Sequence, residues 1–78
     1  MKTMNDLSER FTAIGIAWNE LLTACKNGDI STANNEKAFI IGYINNLMGD
    51  GILTYDDKVR YIEEMQSHIS EAERKENE

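Results

Sequence analysis

The chain predicts an all-α fold: three antiparallel helices in an up-down-up bundle that self-associates. Three observations carry the prediction. None of the 78 residues is proline, so the strongest helix breaker is missing. Apolar residues from Met4 to Cys25 recur at alternating spacings of 3 and 4, the repeat of helices packed at a shallow angle. One connector pattern occurs twice, as Asn27-Gly28-Asp29-Ile30-Ser31 and as Asp50-Gly51-Ile52-Leu53-Thr54. Short connectors of one type join antiparallel neighbours.

The first helix is expected over about residues 5–26. Met4, Leu7, Phe11, Ile14, Trp18, Leu21 and Cys25 form its main apolar line, and Ala13, Ile16, Ala17 and Ala24 run beside it. The middle of such a helix is apolar nearly all round and calls for two partners. Asn27-Gly28 ends it, because glycine best adopts the left-handed conformation after a helix. In each connector the aliphatic residue (Ile30, Leu53) plugs the turn onto the core, and Ser31 or Thr54 caps the next helix. Thr54 followed by Asp57 resembles a capping box with a short acid.

The second helix is expected over about residues 32–48, around the uncharged run Phe39-Ile40-Ile41-Gly42-Tyr43-Ile44. Folding the first connector back places Gly15 opposite Gly42. A mid-helix glycine costs roughly 1 kcal/mol relative to alanine, so a matched pair suggests close backbone approach there. The third helix is expected over about residues 55–72, with Tyr55, Val59, Ile62 and Ile69 on its inner face and Met65 beside them. Residues 73–78 form a frayed acidic tail without an apolar anchor.

A chain of 78 residues forms one domain and buries only about 60–65% of its unfolded surface. The single cysteine excludes an internal disulfide, and no Cys/His cluster offers a structural zinc. Oligomerisation is then the common remedy for marginal size. No run approaches the ~18–20 apolar residues of a membrane span, so a cytoplasmic protein is expected. Fourteen acids against eight bases give a net charge of −6. Residues 50–78 hold nine acids and four bases. That surface repels phosphate backbones and anionic membranes.

Each chemical motif competes with a simpler structural account. Numbering Asn46 as a first calcium ligand puts Asp50, Gly51, Leu53, Thr54 and Asp57 in helix-loop-helix register, but Met48 cannot ligate a hard cation. A helix connector explains the same residues without a metal. His68 reads as a solvated side chain, and Cys25 as a buried small hydrophobe. No nucleophile motif or phosphate-cradling loop is present, so neither catalysis nor a cofactor is implied. As a DNA-recognition helix, the third would lead with Asp56 and Asp57 into the groove.

The remaining expectation is a small acidic, non-enzymatic interaction module of bacterial or phage type. It would act as a regulator or inhibitor by binding another protein and would itself be a homo-oligomer. Self-association is assigned to Phe11, Ile14, Gly15, Trp18, Phe39, Ile41, Gly42 and Tyr43, with Ile16 among the surplus apolar residues. A basic partner would meet Asp56, Asp57, Glu63, Glu64 and Glu71. The alternatives are a dimeric helical transcriptional regulator and a helical oligomer that binds a small ligand between chains. No family identifies itself from these residues.

Overall fold

The computed structural model describes residues 3–76. Four helices follow one another: α1 (Met4–Arg10), α2 (Thr12–Lys26), α3 (Ile30–Gly49) and α4 (Tyr55–Glu76). No strand occurs among the described residues. The fold is all-α, with four helices where the sequence predicts three. The described part is a rod of 42 × 21 × 20 Å.

The extra helix comes from a break at Phe11, whose φ of −132° and ψ of 109° are extended. The predicted apolar line survives the break. Met4, Leu7, Ile14, Trp18 and Leu21 are all buried, and Phe11 and Cys25 pack half-buried against them. The kink folds α1 over α2 and α4, and four local features hold it there. Thr3 Oγ1 accepts from the Asp6 N–H while Asp6 Oδ2 accepts from the Thr3 N–H, both at 3.2 Å, which caps α1 reciprocally. Met4 N–H donates to Glu64 Oε1 at 2.9 Å, tying α1 to α4. Trp18 Nε1 donates to Asn5 Oδ1 at 3.1 Å, tying it to α2. Beneath α1 lies Gly15, where a Cβ would stand 3.0 Å from the Ser8 carbonyl oxygen.

Both connectors turn on glycine in the left-handed region, Gly28 at φ 73° and Gly51 at φ 76°. Leu53 is buried and Ile30 packs half-buried on the core, so the aliphatic plugs sit as the sequence predicts. The caps differ. Thr54 caps α4: its Oγ1 accepts from the Asp57 N–H at 3.2 Å, and Asp57 Oδ2 accepts from the Thr54 N–H at 3.0 Å. In the first connector the cap is Asp29, not Ser31. Asp29 accepts from the Thr32 N–H at 3.1 Å and from the Thr32 hydroxyl at 2.6 Å, so α3 starts at Ile30 rather than residue 32.

Pairs of contacting residues give the helix directions. The Phe11 and Tyr43 rings lie 5.9 Å apart at one end of α2, and Glu20 meets Glu36 further along. As residue numbers rise along α2 they fall along α3, so the two run in opposite senses. Trp18 meets His68 edge-on at 5.3 Å, and Cys25 shares a cleft with Ala72. Numbers rise together there, so α2 and α4 run in the same sense.

α4 departs from its expected face and length. Its buried line is Tyr61, Met65, Ile69 and Ala72, while Tyr55 is 67% exposed and Val59 and Ile62 lie at the margin. The true inner face is rotated by roughly a quarter-turn from the line through Tyr55, Val59 and Ile62. The helix also continues to Glu76, beyond the expected stop at Ala72. Buried Ala72 anchors the last turns. Arg74 reaches back to Glu71 at 2.6 Å, and Arg74 with Lys75 suits the negative end of the helix dipole. Residues 77 and 78 of the expected frayed tail lie outside the described residues.

Candidate interaction surface

The side chains assigned to self-association divide into three groups. Ile14 is fully buried and Trp18 only 3% exposed, both within the chain's own core, so neither presents surface to another molecule. Trp18 is held further by its bond to Asn5 and its edge contact with His68. Ile41 is half-buried, packed on the core with Met48. Gly15 is occupied by Ser8 of α1. Gly42 faces outward, with nothing within 4 Å of the place a Cβ would take. The expected Gly15–Gly42 approach therefore does not exist within the chain. Gly15 does serve a close backbone approach, but to α1, a helix the sequence does not separate from α2.

Phe11, Phe39 and Tyr43 remain, and they belong together. The Phe39 and Tyr43 rings are 6.4 Å apart, and Tyr43 continues to Phe11 at 5.9 Å. Arg10 closes the row with its guanidinium 5.3 Å from the Phe11 ring centre. On the other side of Phe39 lies a depression of about 360 Å³, lined by Ala13, Ile16, Ala17, Glu36 and Phe39. Ile16 is 58% and Phe39 52% exposed. For large apolar side chains near mid-helix this is unusual exposure, and both lie on the same α2–α3 face. Glu36, on the rim of this depression, is paired with Glu20. Burial, then the neighbouring charge of Glu20 and its hydrogen bond, push the Glu36 carboxyl above its ordinary range.

The acidic surface assigned to α4 is thinner than its composition suggests. Asp57 is buried and caps its own helix. Glu64 is half-buried and accepts from the Met4 N–H. Asp56, Glu63 and Glu71 are exposed, but Glu71 is engaged by Arg74, which holds its carboxyl below the ordinary range. The outward side of α4 thus carries mixed charge.

The other chemical candidates have structural roles. Asp50 closes α3 and Asp57 opens α4, so the apparent calcium register is made of helix ends. Among the described residues no group of three or more His, Cys, Asp or Glu could hold a metal ion. Cys25 is half-buried rather than fully buried, and burial raises its thiol pKa, away from the reactive thiolate. It shares a cleft of about 270 Å³ with His68, Glu71 and Lys75, a proximity across α2 and α4 that the sequence spacing hides. His68 is exposed but rests its ring against Trp18. No helix among the described residues is long and apolar enough to cross a membrane. No protein-family model, curated protein or solved structure matches the chain.

Proposed function

We propose that the chain is a non-enzymatic interaction module that works as a homo-oligomer and regulates or inhibits another protein by binding it. The observation behind this reading is the α2–α3 face, where Ile16 and Phe39 stand more than half exposed around an apolar depression. Exposed apolar surface of this kind, grouped rather than scattered, is what association removes from water. The face lies on the two helices whose apolar surplus is already evident in the sequence. The outer side of α4, with Asp56 and Glu63 exposed, is then left for a basic region of the regulated protein.

Light scattering across a dilution series, with circular dichroism on the same samples, tests the reading. A species heavier than one chain that dissociates on dilution, each chain keeping its helices, is the expected result. A chain that stays monomeric at every concentration removes the homo-oligomer. The regulatory half is tested by affinity capture with the wild-type chain and an Asp56→Lys/Glu63→Lys variant. A basic partner held by the first and lost by the second is expected, and equal retention by both rules out the α4 surface.

A further inference from the structure

The α2–α3 face is polar in the directional sense. From one end to the other its contacts run from the Glu20–Glu36 pair, through Ile16 and Phe39, to Tyr43, Phe11 and finally Arg10. Acids stand at one end, a cation at the other, and apolar and aromatic surface lies between. Arg10 is exposed and forms no ion pair among the described residues; its guanidinium lies against the Phe11 ring and within electrostatic reach of Tyr61 on α4. The two acids are crowded together rather than neutralised.

A surface with this order is complementary to itself when turned through 180°. A two-fold axis through the Ile16–Phe39 depression brings each apolar centre onto the other. The same rotation carries Arg10 of each copy toward the Glu20–Glu36 pair of its mate. Such isologous contacts are the commonest way identical chains close into a dimer. We propose that the occupant of this face is a second copy of the chain, packed about a two-fold axis, with Arg10 of each copy bound to Glu20 and Glu36 of the other. The proposal rests on the homo-oligomer reading above and adds the face, the symmetry and the charged contacts. A parallel arrangement would set four glutamates together and both arginines together. That arrangement is disfavoured because like charges juxtaposed across an interface oppose binding.

The rotation also dictates a test that a general stickiness of the face cannot pass. Arg10→Glu alone places three acids together at both ends of the dimer, and Glu20→Arg/Glu36→Arg alone places three cations together. Each variant by itself is expected to weaken association by at least about tenfold. Mixed together, the two variants regain an attractive contact at both ends, so the mixture should form a heterodimer while neither variant pairs with itself. Sedimentation or light scattering at low salt reads the mass, and circular dichroism confirms that each variant keeps its helices. All three positions are on the surface or its margin, so folding is expected to survive.

Ile16→Asp/Phe39→Asp should abolish pairing in any charge background. If the wild type dimerises, is broken by Ile16→Asp/Phe39→Asp, and yet ignores the charge reversals, the two-fold pairing of Arg10 with the glutamates is wrong. A dimer indifferent to all these changes places self-association on another surface, which overturns this inference and leaves the homo-oligomer reading standing. A wild-type monomer at every concentration overturns both.

Discussion

Gly15 and Gly42 occupy equivalent places in the sequence, each near the middle of an expected helix and each about thirteen residues from the same turn, yet the fold sets Gly15 in the first turn of α2 and Gly42 well inside α3. Gly15 is a seat for the backbone of α1, with the Ser8 carbonyl 3.0 Å from where a Cβ would lie. Gly42 looks into open space. What separates them is the break at Phe11. Once α1 folds back, one side of α2 carries another helix at close range, while the matching side of α3 carries nothing from its own chain. The close approach that a mid-helix glycine suggests is real at one site only, and its partner lies a few residues upstream in sequence.

The largest effect that can test this contrast comes from Trp18, which anchors the folded-back segment. Trp18→Ala removes a buried indole, its hydrogen bond to Asn5 and its edge contact with His68. A loss of about 3–5 kcal/mol is expected. That is comparable to the whole stability of a domain this small, so the variant should be largely unfolded by circular dichroism. A cooperatively folded Trp18→Ala chain with a near-normal urea midpoint would mean that α1 and its anchor contribute little.

The glycines themselves are expected to respond with opposite signs. Gly42→Ala gains helix propensity in open space and should stabilise the chain by about 0.5–1 kcal/mol. Gly15→Ala gains the same propensity but pushes a Cβ against a backbone carbonyl, and overpacking of this kind costs about 1–3 kcal/mol. The net change at Gly15 should therefore be a loss of up to about 2 kcal/mol. Urea midpoints for the two variants decide it, and equal shifts would show that α1 does not press on Gly15 in solution.

The two connectors give a second, milder contrast. They share glycine, aliphatic plug and hydroxyl residue, but the cap sits at Asp29 in one and at Thr54 in the other. Asp29→Ala and Thr54→Ala should each cost about 1 kcal/mol, the usual value of an N-cap. Ser31→Ala should change stability by less than about 0.5 kcal/mol, because Ser31 is an exposed residue inside the first turn of α3. Thermal melts that rank Ser31 with Thr54 would reverse the assignment.

These contrasts mark what the sequence reveals and what it hides. The apolar line from Met4 to Leu21 is legible because burial follows helical spacing whether or not the helix is continuous. The break at Phe11 is not, since neither glycine nor proline marks it and its reason is tertiary: the bonds from Met4 to Glu64 and from Trp18 to Asn5 form only when α1 is folded back. The inner face of α4 is misread because Tyr55, Val59 and Ile62 form a plausible apolar line, while Tyr61 looks equally suited to the margin. Packing near Asp6 and Arg10 of α1 accompanies the burial of Tyr61 instead. At the candidate surface, Phe39, Tyr43 and Ile16 stand out as apolar surplus. Arg10, Glu20 and Glu36 do not, because their alignment depends on the register between α2 and α3, which no local pattern encodes.

The smallest expected effect is a dependence on pH, and it isolates the acidic end of that surface from the rest of the chain. Glu36 is held above its ordinary value of 4.5 by burial and by Glu20, so the folded chain binds a proton there more tightly than the unfolded chain. Its carboxylate is then a burden on folding at neutral pH, and the burden is relieved as pH falls through the raised value toward 4.5. Asp29 and Glu71 act in the opposite sense. Their carboxyls are lowered, by hydrogen bonds from Thr32 and from Arg74 respectively, so their contributions are lost only as the pH falls below the ordinary 3.8 and 4.5. Stability of the monomeric chain should therefore rise slightly as the pH is lowered from neutral toward 4.5 and decline in stronger acid. Glu36→Gln should flatten the rise and leave the acid decline in place. Urea titrations at three pH values, run on an Ile16→Ser/Phe39→Ser variant to exclude a second copy without adding carboxylates beside Glu36, measure both limbs. A wild-type-like rise that persists in Glu36→Gln would locate the titrating group elsewhere.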